Sequence, residues 1–385
     1  MFFFILIVTN IILKKIIFIV SEDWYFVSHR LHLATTAINN GYEVTLLSRV
    51  SKHQEFIRSL GITTINWPLE RKSLNPIREL ISIYHIVHKV RRVKPNLVHA
   101  VGMKPIIYTA LSKLFFSVDG IVLALGGLGF IFRSSRASAK ILRICIVPIF
   151  RLLLASSNIR LIIQNRDDSQ ILENLNIVKR KKIRLIRGAG VSVKDFYPKK
   201  VQNDISLVIL PARMLWDKGV EDFVNCAKRC IDNKISVQFV LVGNPDLHNP
   251  EFIPEAQLKQ WVELGFVEWW GEQDNMLKIY HMADLVCFPS YHEGLPKALL
   301  EAASCELPIV SYDVSGCREI VKDNVNGFLV PFKDEQALYD AVLELLGNPS
   351  LRRKMGEISR KMVIEEFTQE KIASETIRVW DEISK

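Results

Sequence analysis

The stretch Asp284–Cys305, DLVCF followed by PSYHEGLPKALLEAASC, constrains the fold more tightly than any other part of the chain. Asp284–Phe288 is short, apolar and partly β-branched, the pattern of a strand buried in a parallel sheet. Pro289–Ser290 ends it. From Pro296 the spacing of Ala298, Leu299, Ala302 and Ala303 is helical, and Pro296 suits the first turn, where a missing N–H costs nothing. Tyr291–Leu295 is therefore a loop between the end of a strand and the start of a helix. Open α/β sheets bind ligands at such places, and free backbone N–H groups there favour phosphate.

The same grammar recurs through the 385 residues, too many for one typical core. Ile16–Val20 reads as a strand, Ser21–Phe26 as its outgoing loop, Ser28–Asn39 as a helix closed by Gly41, and Glu43–Leu47 as the next strand. Further strands are expected at Leu60–Ile65, Leu97–Ala100, Ile121–Leu125, Arg160–Gln164 and Lys182–Ile186, with a basic helix over Ile77–Val93. Tyr197–Asp204 is polar and reads as a linker. A second alternation follows: strands at Ser206–Leu210, Ser236–Val242, Val267–Trp269, Asp284–Phe288, Pro308–Tyr312 and Gly327–Val330, then a helical tail from Asp334. The reading is an α/β chain of two Rossmann-like doubly wound domains, residues 1–196 and 205–385, facing a central cleft, with the last helix packing back on the first domain.

Charge separates the two halves. Residues 1–200 hold 31 Lys and Arg against 11 Asp and Glu, a balance of +20, whereas residues 201–385 hold 19 against 30, a balance of −11. A basic first half implies an anionic partner. Helices over Asn75–Lys94 and Arg133–Arg160 mix apolar and cationic residues, as helices lying on anionic lipid do. Nucleic acid is not expected, because no recognition motif accompanies the charge. The apolar run Met1–Leu13 is too short to span a bilayer as a helix and precedes no small-residue cleavage site. It reads as a membrane-dipping leader, an upstream extension or part of a buried strand. The cysteines are scattered, and Cys226 and Cys230 read as small buried residues rather than metal ligands. No G-x-G-x-x-G follows the first strand, so no dinucleotide cofactor is indicated.

Two carboxylates frame the central loop. Glu293 precedes the helix and Glu301 lies eight positions on, about two turns away. Each could accept bonds from hydroxyls at opposite ends of one extended ligand, or both could be solvated surface groups. Gly294 permits close backbone approach beside Glu293. At the end of the strand Ser206–Leu210, Arg213 and Lys218 lead into a helix, a natural clamp for a diphosphate.

Glu293-Gly294-Leu295-Pro296-Lys297-Ala298-Leu299-Leu300-Glu301 resembles the E-x7-E signature of retaining nucleotide-sugar glycosyltransferases of family 4, which have the GT-B fold. The Arg213-x4-Lys218-Gly219 spacing is similar to that family's pattern at the same place. So, in the O-antigen and capsule subgroup, are Ser21–Arg30, Gly126–Phe132, Gln164–Asp168 and Arg187–Val191. The resemblance covers Lys15 to Lys385.

It implies that Arg213 and Lys218 hold the donor diphosphate, that Glu293 binds donor-sugar hydroxyls and that Glu301 binds the ribose. The N–H groups of Leu295 and Lys297 would face the phosphates, with Gly294 allowing the approach. Gly243, Glu272 and Gln273 would lie at the nucleotide. On the acceptor side the candidates are Asp23, His29, Gly126 and Gly127. Gly126 stands where many relatives have a His. For His29, His32 and His99 a hydrogen-bonded structural role is the favoured reading.

The function this implies is retaining transfer of a hexose or N-acetylhexosamine from a nucleotide-diphosphate sugar to a polyprenyl-diphosphate-linked glycan. No cofactor or metal is expected. The enzyme would be cytoplasmic, peripheral on the inner face of the cell membrane. The alternatives are a nucleotide-sugar 2-epimerase of the same fold and a non-catalytic nucleotide-sugar-binding subunit.

Overall fold

The computed structural model describes residues 14–70, 75–128, 132, 137–198, 205–247 and 249–384. The readings made for Met1–Leu13, for the 199–204 part of the linker and for Gly129–Ile131 lie outside them. Two parallel sheets form. The first contains β1 (Lys14–Glu22), β2 (Tyr42–Arg49), β3 (Thr63–Asn66), β4 (Leu97–Val101), β5 (Gly120–Ala124), β6 (Ile159–Ile163) and β7 (Ile183–Leu185), in the order β3-β2-β1-β4-β5-β6-β7. The second contains β8 (Ser206–Pro211), β9 (Val237–Val242), β10 (Glu268–Gly271), β11 (Leu285–Phe288), β12 (Ile309–Tyr312) and β13 (Gly327–Val330), in the order β10-β9-β8-β11-β12-β13. Both orders reverse once, at β1/β4 and at β8/β11. Strands there diverge to helices on opposite faces and leave a crevice at their C-terminal ends.

Contacts divide the chain into two compact units. One comprises the residues up to Ala124 with Ile146–Leu161 and Thr376–Lys385; the other comprises Leu125–Cys145 and Ile162–Glu375. In the first unit Ile16–Ile19 of β1 are fully buried, as a strand covered on both faces must be. The end of the helix Gln369–Ile383 belongs to this core. Trp380 is fully buried, lies edge-on to Phe18 and Tyr42, and donates its Nε1–H to His99 Nδ1 at 3.1 Å. His99 is thus a hydrogen-bonded core histidine. In the second unit the apolar faces of β8, β9, β11 and β12 pack against the helix Val220–Asp232 and the helix Lys297–Ser304. Cys226 and Cys230 are buried there as small apolar fillers.

Several elements differ from the sequence reading. Ser21–Phe26 is not a loop: β1 runs on to Glu22 and a helix spans Asp23–His29. The single helix expected at Ser28–Asn39 is broken at Arg30 (φ −131°, ψ −9°) and resumes over Leu31–Asn39. The helices Met103–Ser112, Arg166–Asn174 and Ser315–Ile320 were not foreseen. The basic helix spans Pro76–Val93. Asn75 caps it by accepting the Ile77 N–H, Pro76 occupies its first position, and Lys94 ends it in the left-handed conformation.

Candidate active site

Every donor-side residue singled out follows a strand of the second sheet. Arg213 and Lys218 follow β8, Gly243 follows β9, Glu272 and Gln273 follow β10, and Glu293 to Lys297 follow β11. Since these strands are parallel neighbours, their C-terminal ends form one edge, and the β8/β11 reversal falls in its middle.

At that reversal the two loops lock together by backbone. Tyr291 N donates to Asp217 O at 2.9 Å. Gly219 (φ +67°) lies so close to the Pro289 carbonyl that a Cβ would collide with it. This brings Lys218 Nζ to 2.6 Å from Glu293 Oε1, and Ser290 Oγ donates to the same oxygen at 2.8 Å. Both charged side chains are largely covered, 13% exposed for Lys218 and 12% for Glu293, and Ser290 is fully buried. Lys218 has three N–H donors and, among the described residues, spends one on Glu293, which leaves two for an anion at the crevice.

Arg213 is more open, with 47% of its side chain exposed, and donates from Nη1 to Asp246 Oδ2 at 2.7 Å. Glu301 is buried, which sets aside the reading of it as a solvated surface residue. Its Oε2 accepts from the Tyr280 hydroxyl at 3.1 Å and its Oε1 pairs with Lys297 Nζ at 3.1 Å. Burial, with the Glu301 charge beside it, pushes the Tyr280 hydroxyl well above its ordinary pKa of 10.0, so it stays a donor. Direct bonds therefore join Lys218 to Glu293, Lys297 to Glu301 and Arg213 to Asp246 along one sheet edge.

The ends of β9 and β10 are tied where Gly243 N donates to Gly271 O at 2.7 Å. A Cβ on Gly243 (φ +137°) would strike the Ala212 carbonyl, and Trp269 Nε1 donates to Gly243 O at 2.7 Å. Glu272 N donates to Asn244 Oδ1 at 3.2 Å, and Gln273 Nε2 donates to Trp270 O at 2.6 Å. The Glu272 side chain is exposed.

The acceptor-side candidates fare differently. Asp23 is fully buried and accepts from Ser51 N, Ser51 Oγ, His53 N and Trp24 N at 2.6–3.3 Å. With its lone pairs used internally it braces the Asp23–His29 helix, and its assignment as a substrate contact is corrected. His29 is half-buried and stacks on Tyr25 with ring centroids 4.3 Å apart. Gly126 and Gly127 lie against the donor loop. A Cβ on Gly294 would collide with the Gly126 carbonyl, and one on Gly127 would approach Gly294 Cα at 3.2 Å. The Gly126 carbonyl thus occupies the space that a side chain at 294 would need.

Sequence reading missed the residues that support the loop. Asp222 accepts the hydroxyls of both Tyr291 and Tyr312. Asn165 donates from Nδ2 to Gly294 O at 2.9 Å, and Gly316 leaves room for the Glu293 and Gly294 carbonyls. Asn165 enters the sequence reading only within the matched stretch Gln164–Asp168, with no role of its own. Among the described residues no group of three or more His, Cys, Asp or Glu is placed to hold a metal ion.

Comparison with known proteins bears on the fold and the family. The HepE protein of Anabaena, solved with UDP and glucose, superposes with a TM-score of 0.79 at 14% identity, over 96% of this chain and 99% of that one. Likeness at this identity bears on the fold alone, and the fold is GT-B. Residues 15–166 match the family described as glycosyl transferase 4-like, and residues 194–362 match glycosyl transferases group 1. The chain belongs to these family 4 glycosyltransferases and is a glycosyltransferase. One relative is the N,N'-diacetylbacillosaminyl-diphospho-undecaprenol α-1,3-N-acetylgalactosaminyltransferase of Campylobacter jejuni. It is 23% identical over 89% of this chain and 92% of its own. Another is the UDP-Gal:α-D-GlcNAc-diphosphoundecaprenol α-1,3-galactosyltransferase of Escherichia coli, 26% identical over 84% and 85%.

Proposed function

We propose that the protein transfers a hexose or N-acetylhexosamine from a nucleotide-diphosphate sugar to a hydroxyl of a polyprenyl-diphosphate-linked glycan, with retention at the anomeric carbon, in surface polysaccharide synthesis. The observation that carries this is the meeting of Lys218 and Glu293 at the β8/β11 reversal. A cation and a carboxylate fixed side by side suit a ligand that has a diphosphate next to a ring of hydroxyls. The two relatives, named for transfer to undecaprenyl-diphosphate sugars, supply the acceptor class.

Lys218 and Arg213 take the charge that grows on the departing diphosphate, the largest catalytic contribution such a site can make. Glu293 orients the sugar by its hydroxyls, and Glu301, held by Tyr280 and Lys297, accepts from the ribose. Gly243, Glu272 and Gln273 line the nucleotide, and the Leu295 and Lys297 N–H groups face the phosphates. The acceptor hydroxyl attacks the anomeric carbon from the face that the diphosphate leaves. The bond to the diphosphate oxygen breaks as the new glycosidic bond forms, and the departing phosphate takes the hydroxyl proton. Residues 1–196 present the acceptor, with His29 on that side, and residues 205–385 hold the donor. The reaction as proposed uses no further cofactor and no metal.

A lipid-linked acceptor calls for work at the cell membrane, and the proposal puts the enzyme on its cytoplasmic face. Among the described residues no helix is long and apolar enough to cross a membrane. The helix Pro76–Val93 offers a surface that suits peripheral binding. Ile77, Leu80, Ile81 and Tyr84 recur on one face and are 69%, 65%, 47% and 65% exposed. Arg91, Arg92 and Lys94 close its last turn.

The test is incubation with sugar nucleotides and a polyprenyl-diphosphate-linked saccharide, with NMR of the product. A lengthened glycan with the donor's anomeric configuration is expected. Inversion, or an isomerised sugar nucleotide formed without acceptor, would contradict the reading.

A further inference from the structure

The Gly294–Leu295 peptide sits between the proposed sugar ligand, Glu293, and the helix that begins at Lys297. In a trans peptide the carbonyl and the following N–H point in opposite directions. Whatever holds the Gly294 oxygen therefore aims the Leu295 N–H. Among the described residues that N–H meets no protein acceptor. Glycine at 294 leaves the peptide plane free to turn unless something outside the loop fixes it.

Asn165 is that anchor. It is fully buried at the cap of the helix Arg166–Asn174, and its Oδ1 accepts the Asp168 N–H at 2.8 Å. The backbone N–H can only donate, so the amide's NH2 must lie on the other side. There Asp168 Oδ2, which can only accept, takes one N–H at 3.1 Å and the Leu128 N–H at 3.2 Å. The remaining Asn165 N–H reaches Gly294 O at 2.9 Å. Neither end of the amide can exchange places without setting donor against donor. On the remaining sides, the Gly126 carbonyl packs on Gly294, and a Cβ at Gly316 would lie 2.7 Å from the Gly294 oxygen. Arg166 N, next in the chain, donates to Glu319 Oε1 at 3.1 Å and ties the anchor to the helix Ser315–Ile320.

We infer that Asn165 is a positioning residue for the donor diphosphate: by holding the Gly294 carbonyl it turns the Leu295 N–H toward the phosphate, without itself touching the ligand. This rests on the reading of the β8/β11 crevice as a diphosphate site and adds the device that orients its backbone donor.

The test separates the cap from the anchor. Asn165→Ser keeps an oxygen for the Asp168 N–H but is too short to reach Gly294. UDP, GDP and dTDP would be titrated into wild type and variant beside uridine, guanosine and thymidine. The variant is expected to melt within a few degrees of wild type. It should bind the diphosphate about tenfold more weakly, the worth of one charge-assisted hydrogen bond. The nucleoside should bind unchanged. A loss of folding alone would weaken both ligands together. Asn165→Thr, which also keeps the cap, should reproduce the split if the serine variant folds poorly. Equal diphosphate affinity in wild type and both variants overturns the positioning role while leaving the site reading intact. Failure of wild type to bind any of the diphosphates overturns the site reading, and the positioning role falls with it.

Discussion

Lys218 Nζ and Glu293 Oε1 lie 2.6 Å apart although 75 residues separate them in the chain. Neither loop could place its group there alone. The pair exists because β8 and β11 are neighbours whose outgoing loops share a backbone bond, Tyr291 N to Asp217 O. Ser290 completes it from a fully buried position. Ser290→Ala removes one charge-assisted donor from Glu293 and is expected to lower kcat/KM about tenfold with little change in melting temperature. Steady-state kinetics beside a melting curve would check this.

Gly294 has no room for a side chain. Alanine there would drive a methyl into the Gly126 carbonyl, and alanine at Gly316 would press on the carbonyls of Glu293 and Gly294. Gly294→Ala and Gly316→Ala are each expected to cost about 1–3 kcal/mol by overpacking. Each should also lower transfer by more than the stability loss explains, because the displaced loop carries Glu293. Denaturant melts alongside rate measurements give both quantities.

Asp23 makes a prediction in acid. Burial raises its pKa, but the hydrogen bonds from Ser51, His53 and Trp24 outweigh this and hold it below the ordinary 3.8. A carboxyl whose pKa is depressed by folding stabilises above its unfolded pKa and loses that contribution as pH falls through the folded value. Asp23→Asn is therefore expected to be less stable than wild type at pH 7, by about 1–3 kcal/mol. The difference should shrink as the pH is taken below 3.8. Urea melts of both proteins across the acid range would check the sign.

The exposed face of the helix Pro76–Val93 predicts where lipid binds. Replacing Ile77, Leu80 and Tyr84 together by Ser removes apolar surface that is already in water, so the melting temperature should barely move. Sedimentation with vesicles containing anionic lipid should fall about tenfold or more. Binding by wild type should weaken with added salt, as the Debye length shortens. Unchanged sedimentation would place the lipid contact elsewhere.

Much of this arrangement could be read from the residues, and the misses have physical causes. The alternation of short apolar runs and helical stretches located each of the thirteen strands found among the described residues to within a few residues, because a strand covered on both faces has a distinctive composition. The loop after β11 was legible because Pro289, Gly294 and Pro296 punctuate it. Trp24, Tyr25 and Phe26 concealed the Asp23–His29 helix, since aromatics form helices weakly and contacts with Ser51 and His53 stabilise this one. Asp23 looked like a ligand contact for the same reason: the donors that saturate it arrive from a loop beyond β2. Gly126 read as a missing polar group, and only the coordinates reveal its carbonyl against Gly294. Asn165 stood out only as part of the matched stretch Gln164–Asp168, and nothing local discloses the bond that it makes to Gly294.

Nucleotide-diphosphate binding by wild type and Lys218→Ala is the measurement that bears most directly on the site. With UDP, GDP and dTDP as probes, at least one should raise the wild-type melting temperature by several degrees and by more than its nucleoside does, since a ligand bound only by the folded state stabilises it in proportion to its affinity. Lys218→Ala should remain folded and lose that shift. A wild type indifferent to all three diphosphates, or a variant that responds to them as wild type does, would contradict the assignment of the β8/β11 crevice as the donor site.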